Sequence, residues 1–243
     1  MRARGDAIPH PADDPIVEAR AVECSRSLGR QQPSAVRGVS LSVRAGERVW
    51  LCGPAGSGRT LLLHVLGLLE APDAGEVRVE GRSLAGAGES ERGAVRGRMF
   101  GFLFSAPYLL PDFSVAENIA MPLFKLGGSG PEEAEPTVQL LLQEAGLSRR
   151  AADPASGLGA SEQWRVALAR ALVLEPRILV IEGAAAGCEE SRDGAFRDLL
   201  EAAVTRRGLT LLCEAPVAPP GAERVVLLEA GRVISDSKGA VPV

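Results

Sequence analysis

The chain has 243 residues, of which 46% are hydrophobic, and its formal net charge is −4. This length fits one α/β domain, or one domain with a small subdomain, and the apolar content is ample for a core. The charge excludes a generally basic surface for nucleic acid, and no run approaches the about 20 apolar residues of a membrane-spanning helix.

The first 15 residues are polar and rich in proline, so we expect a disordered leader without a signal peptide. The four cysteines show no metal-ligand spacing; they are Cys24, Cys52, Cys188 and Cys213. Cys52 and Cys213 end apolar runs and are expected to be small core residues. This pattern is typical of a reduced, cytosolic protein.

Short apolar runs predict buried strands along the whole chain. We expect them at 16–22, 36–43, 49–52, 76–79, 99–104, 177–181, 209–213, 224–228 and 232–234. The first two are expected to belong to a small antiparallel sheet. The later strands alternate with helical patterns, which predicts a parallel sheet with helices on both faces.

Helical periodicity accounts for most of the remaining chain. We expect helices at 61–66, within 86–97, and at 115–123, 132–145, 161–174 and 192–205. Ser114 and Glu117 have the spacing of a capping box before the third of these. The segment 112–160 is expected to form a helical subdomain, and 105–114 a loop with two prolines.

A glycine-rich turn between a predicted strand and a predicted helix has the pattern of a phosphate-binding loop. Its residues are Gly53, Pro54, Ala55, Gly56, Ser57, Gly58, Arg59 and Thr60. Glycines let backbone N–H groups form a concave anion site, the helix N-terminus adds positive charge, and Thr60 can ligate Mg²⁺. Arg59 stands where such loops have lysine, and its longer, planar fork is not equivalent. Two interpretations stay open: a nucleotide-binding loop, or a turn that no longer binds nucleotide.

From about Ile16 to Ile234 the chain resembles the ATP-binding subunits of ABC transporters. The segment 101–123 is most similar to the branch that serves lipoprotein release, macrolide and peptide export, and the cell-division system. The segment 162–172 resembles the family's signature helix, and 176–181 resembles its Walker B strand. The resemblance implies an α/β P-loop NTPase fold over 16–235, with a helical subdomain at 112–160 and a short tail at 236–243.

Several positions that carry the family's chemistry differ in this chain. Leu28 stands where an aromatic residue usually stacks on adenine, and Ser105 stands where a glutamine usually contacts Mg²⁺ and the attacking water. The signature, usually Leu-Ser-Gly-Gly-Glu, is Leu158, Gly159, Ala160, Ser161 and Glu162. It therefore lacks the serine hydroxyl that contacts the γ-phosphate in the family, although Ser161 offers one nearby.

The end of the Walker B strand lacks one of its two usual carboxylates. Glu182 remains able to hold Mg²⁺, but Gly183 provides no general base. Shifting the match by one residue makes Glu182 the base and places Ile181 at the metal position, so either register loses a carboxylate. The family's switch histidine is replaced by Glu214, which we expect to repel a γ-phosphate.

Other positions of the family pattern also differ or are ambiguous. The D-loop aspartate falls at Glu189, and His64, on the helix after the phosphate loop, is expected to be structural. Trp164 is expected either at a subunit interface or packed in the subdomain.

The resemblance implies a subunit that binds ATP and Mg²⁺, docks on a membrane permease at the inner face of the cell membrane, and dimerises with itself or an intact partner. A positioned general base contributes about 10²–10⁴-fold to rate, so we expect very weak or absent hydrolysis. Two alternatives stay open: an active transport ATPase, and a regulatory scaffold without a transport role. An apolar stripe matches the family's permease-docking region, and Tyr108 and Phe113 are its members expected to be exposed.

Overall fold

A computed structural model describes residues 14–26, 34–128, 130–183 and 194–238. Ten strands lie in these ranges: β1 (Pro15–Arg26), β2 (Ser34–Arg44), β3 (Arg48–Cys52), β4 (Ala74–Val79), β5 (Arg82–Ser83), β6 (Phe100–Leu103), β7 (Ile178–Ile181), β8 (Thr210–Ala215), β9 (Arg224–Glu229) and β10 (Arg232–Lys238). Six α-helices lie there too: α1 (Arg59–Leu66), α2 (Glu89–Met99), α3 (Val115–Pro122), α4 (Pro131–Glu144), α5 (Ala160–Leu172) and α6 (Gly194–Arg207). None of the helices in these ranges has the length and apolar content needed to cross a membrane.

The central sheet has six strands in the order β10-β9-β3-β8-β7-β6. All neighbours are parallel except β10, which pairs antiparallel with β9. Both β7 and β8 are buried along their whole length, as expected for parallel strands covered by helices on both faces. The carboxyl ends of β3, β6, β7 and β8 meet at one edge of the sheet, because Cys52 is paired with Ala215 and Leu103 with Ile181.

A second sheet, antiparallel and in the order β2-β1-β4-β5, packs on the first through α1. The apolar residues of α1 are buried and share one core cluster with side chains of both sheets, including Val17 and Leu51. Helix α1 is therefore held from two sides, and with it the turn that precedes it.

Helices α3, α4 and α5 share a second core cluster with α6 and with side chains of β6, β7 and β8. The predicted capping box is confirmed: Glu117 N–H donates to the Ser114 hydroxyl at 3.2 Å, and the Ser114 N–H donates to the Glu117 carboxylate at 2.8 Å. A π-helical turn, Leu123–Gly127, continues α3, so the predicted helix ends one residue earlier than expected.

The predicted strands and helices are present, with differences mainly at their ends. Met99 ends α2 and does not begin β6. Strand β1 begins at Pro15, one residue inside the expected leader; residues 1–13 lie outside the described ranges, as does Cys188. The other three cysteines are buried, and burial raises the pKa of the Cys52 thiol to about 11. This thiol is therefore protonated at neutral pH and is not an activated nucleophile.

Gly101 on β6 provides the first test, because a Cβ added there would overlap the carbonyl oxygen of Ala171 on α5. We expect Gly101→Ala to lower the free energy of unfolding by about 1–3 kcal/mol, the usual cost of overpacking. The control is Gly93→Ala inside α2, where the nearest atom, Arg96 Nη2, is 3.7 Å from the added Cβ. That variant should gain about 0.5–1 kcal/mol from helix propensity. Urea unfolding measures the free energy of unfolding of both variants. Equal changes in this free energy in Gly101→Ala and Gly93→Ala would contradict the close approach of β6 to α5.

Candidate functional site

The glycine-rich turn joins the end of β3 to α1 and has the backbone of a tight anion-binding loop. Gly56 and Gly58 have φ angles of 78° and 94°, a conformation that favours glycine. A Cβ at Gly58 would overlap the carbonyl oxygen of Ala35, and one at Gly53 would overlap that of Leu228. The structure therefore requires glycine at Gly58 both for conformation and for space.

The charged end of this loop is bonded to a carboxylate from β8. Glu214 Oε2 accepts hydrogen bonds from Arg59 Nε and from Thr60 Oγ1, both at 2.9 Å. Glu214 Oε1 accepts one from the Gly183 N–H at 3.2 Å. The Glu214 side chain is only 8% exposed, and Arg59 Nη1 also donates to the Gly53 carbonyl oxygen. Glu214 thus binds both residues that an intact loop directs toward phosphate and Mg²⁺.

A second carboxylate, Glu182, lies at the same sheet edge after β7. Its Oε1 is 3.2 Å from His64 Nε2 on α1, and its Oε2 accepts a hydrogen bond from the Ser105 N–H at 3.3 Å. The hydrogen bond with His64 holds the pKa of Glu182 below its ordinary value, although burial acts in the opposite direction. His64 therefore contacts a predicted metal ligand within the chain, a pairing that the sequence analysis does not predict.

Gly183 has a φ of 59°, in the left-handed region where a side chain is strained. Its backbone conformation thus favours glycine at the position where one of the two registers of the resemblance places the general base. The Cβ of Ser105 is the nearest atom to an added Cβ at Gly183, at 3.6 Å.

The residues of this site fit bound MgATP only in part. The loop has the backbone shape for phosphate, and the buried Ser57 hydroxyl has no hydrogen-bond partner among the described residues. Arg59 and Thr60, however, are bonded to Glu214, so the groups for the γ-phosphate and the metal are engaged within the chain. The charged groups as they stand do not match a triphosphate with its metal.

The predicted signature residues lie just before and at the start of α5. The Gly159 N–H donates to Glu162 Oε2 at 2.9 Å, and Glu162 also pairs with Arg150 at 3.1 Å. Leu158 is buried. Leu28 and Glu189 lie outside the described residues, so their predicted positions stay predictions. Trp164 packs against Phe196 of α6, with ring centroids 6.0 Å apart.

A groove of 930 Å³ lies beside the site, between α2, β6 and α5. Its walls include Phe100, Phe102, Phe104, Tyr108, Leu126 and Arg170. Tyr108 is 65% exposed, and Phe113 and Leu110 are also exposed, which confirms the expectation for Tyr108 and Phe113. The groove also includes Glu182, so it reaches the candidate site.

Two residues that the sequence analysis did not single out hold the loop beside this groove. Asn118 on α3 is buried and bonds both the N–H and the carbonyl of Leu110, at 2.8 and 3.0 Å, and the carbonyl of Phe113 at 3.3 Å. Arg170 on α5 donates to the carbonyls of Pro107 and Tyr108 at 2.6 and 2.8 Å. A lone amide within the apolar α3 pattern was the available signal for Asn118.

We expect Asn118→Leu to lower the free energy of unfolding by about 2 kcal/mol, because it removes the hydrogen bonds that a buried amide makes to the backbone of Leu110 and Phe113. Urea unfolding measures the loss, and hydrogen exchange of the Leu110 amide reports the local effect. Ala116→Leu, on the same helix, is the control for added bulk. Unchanged protection of the Leu110 amide in Asn118→Leu would show that Asn118 does not hold this loop.

Comparison with protein families gives a match over residues 36–185 to the family described as ABC transporter. The chain is 36% identical over 211 residues to a protein of Chromohalobacter salexigens named lipoprotein-releasing system ATP-binding protein LolD, covering 86% of this chain and 89% of that protein. It is 41% identical over 169 residues to a Caulobacter vibrioides protein named lipoprotein-releasing system ATP-binding protein LolD 2, covering 70% and 74%.

Among solved structures, the chain is similar to the ATP-binding cassette MJ0796, described as a dimer in a post-hydrolysis state bound to ADP and Pi. The TM-score is 0.77 at 26% identity, and the match covers 91% of this chain and 98% of that one. This agreement confirms the predicted α/β fold with a parallel sheet core.

Proposed function

The chain belongs to the ABC transporter family, and we propose that it is a catalytically silent ATP-binding-type subunit that docks on a membrane permease. The observation that carries this proposal is the ion pair between Arg59 and Glu214, at 2.9 Å. It engages the basic residue of the phosphate loop within the chain, while Gly183 offers no carboxylate to activate water. Loss of a general base alone lowers a rate by about 10²–10⁴-fold.

The proposed assembly is a dimer, with a second copy or with an intact ATP-binding subunit. The dimeric cassette among the similar structures supports dimerisation. In the family, each nucleotide site combines the phosphate loop of one subunit with the signature of the other. A partner with an intact loop would face Gly159, Ala160 and Ser161 of this chain, so that one of the two sites retains a means of turnover.

The proposed docking surface for the permease is the groove with its exposed rim of Tyr108, Leu110 and Phe113. Apolar side chains around a groove are favourable for a protein interface when the rest of the surface is charged. Through such a permease the chain would lie peripherally at the inner face of the membrane. The relatives named for lipoprotein release support a transport system of that branch.

The test measures steady-state ATP hydrolysis by the purified chain with Mg²⁺, beside Thr60→Ala as the control. We expect turnover below about 0.1 per second, a hundredfold under the median for enzymes, and no decrease in Thr60→Ala. Faster turnover that Thr60→Ala abolishes would contradict catalytic silence and support the active transport ATPase.

Docking is tested separately by co-purification from detergent-solubilised membranes with the permease encoded by the same genome. We expect Tyr108→Glu to weaken co-purification by about tenfold, because it places a charge in an apolar interface. Leu140→Glu, at an exposed leucine of α4, is the matched control. Failure of the unmodified chain to co-purify with any membrane subunit would support the scaffold alternative.

A further inference from the structure

The end of β8 places a buried carboxylate against the phosphate loop. Glu214 is paired in register with Leu51 of β3, the strand that leads into the loop. The side chain is 8% exposed and receives three hydrogen bonds, from Arg59, Thr60 and the Gly183 N–H. These donors come from two separate parts of the chain, the start of α1 and the turn after β7. The carboxylate is therefore fixed, and is not a solvated surface charge.

Two of the donors to Glu214, Arg59 and Thr60, are those that a phosphate loop uses at the terminal phosphate and its metal. In such loops the basic residue reaches the β- and γ-phosphates, the hydroxyl of the last residue binds Mg²⁺, and backbone N–H groups cradle the α- and β-phosphates. Here the basic residue and the hydroxyl are both bonded to one carboxylate oxygen, at 2.9 Å each. A carboxylate that accepts charge-assisted hydrogen bonds resembles a phosphate oxygen in charge and in acceptor geometry.

We propose that Glu214 is an internal anion that takes the place of the terminal phosphate, so that the loop prefers nucleoside diphosphates to nucleoside triphosphates. The proposal rests on the proposed function, in which the chain keeps the loop but does not hydrolyse ATP. A γ-phosphate that reached Arg59 and Thr60 would meet a buried negative charge, and like charges at such distances repel strongly in a poorly solvated site.

The glycine-rich part of the loop remains suited to a diphosphate. Ser57 lies between Gly56 and Gly58, and its buried hydroxyl has no hydrogen-bond partner within the described ranges. Helix α1 begins directly after Gly58 and directs its N-terminus toward this part of the loop, which favours an anion. The three hydrogen bonds to Glu214 come from Arg59, Thr60 and Gly183, and none comes from Ser57 or Gly58. The α/β-phosphate cradle and the Glu214 contact therefore lie in different parts of the loop.

The experiment measures the dissociation constants of MgADP and MgATP by calorimetry for the unmodified chain, Glu214→Gln and Glu132→Gln. Glutamine keeps the shape of Glu214 and removes its charge. Glu132 is an exposed residue in the first turn of α4, so its variant controls for the loss of one negative charge. ATP hydrolysis is recorded in the same samples.

We expect the unmodified chain to bind MgADP at least as tightly as MgATP. Glu214→Gln should tighten MgATP by about tenfold or more and MgADP by less than about threefold, since the γ-phosphate is the group that would take the place of the removed charge. Glu132→Gln should leave both constants unchanged. The comparison of the two nucleotides on the unmodified chain supports or overturns the preference even if Glu214→Gln does not fold.

Three results would overturn the proposal. These are tighter binding of MgATP than of MgADP by the unmodified chain, an unchanged ratio of the two constants in Glu214→Gln, and no binding of either nucleotide to either protein at millimolar concentration. Hydrolysis of ATP by the unmodified chain would contradict catalytic silence. It would not by itself decide the preference for diphosphates, which is measured by the ratio of the two dissociation constants. The two proposals can therefore fail independently.

Discussion

The carboxylate of Glu214 joins parts of the chain that meet only because the sheet is parallel. It binds Arg59 and Thr60 at the start of α1 and the Gly183 N–H after β7, while its own backbone lies on β8. Glu214 is buried and Arg59 is partly exposed, so removing Arg59 leaves a buried charge without its ion-pair partner, at a cost of up to about 3–5 kcal/mol. The conformation of the phosphate loop therefore depends on a contact that, in a nucleotide-binding loop, the ligand itself would make.

A second carboxylate repeats this arrangement one strand away. Glu182 follows β7 and contacts His64 of α1 and the Ser105 N–H after β6. Helix α1 is thus bound through its side chains to both carboxylates, and its apolar face is buried between the two sheets. The hydrogen bonds from Arg59 and Thr60 give the negative charge of Glu214 partners inside the chain. The repulsion that we expect between Glu214 and a γ-phosphate stays a prediction.

The strands, the helices and the capping box of α3 could be predicted from the sequence, because periodicity and capping are local properties. The sequence identifies Arg59 and Glu214 as departures from the family pattern, but it does not indicate that they pair. They are 155 residues apart, and their pairing depends on the register that places Glu214 beside Leu51. The same limit applies to His64 with Glu182, 118 residues apart. Side-chain partners across a sheet edge are set by tertiary structure, which a pattern along the chain does not contain.

The most direct measurement is a double-mutant cycle on the chain without nucleotide, with Arg59→Met and Glu214→Gln made singly and together. The free energy of unfolding in urea is determined for all four proteins. If the Arg59–Glu214 pair holds the phosphate loop, the coupling energy should be at least about 1 kcal/mol, as for contacting residues in one network. Additive effects, within about 0.3 kcal/mol, would contradict the account, since the two charges would then not stabilise one another.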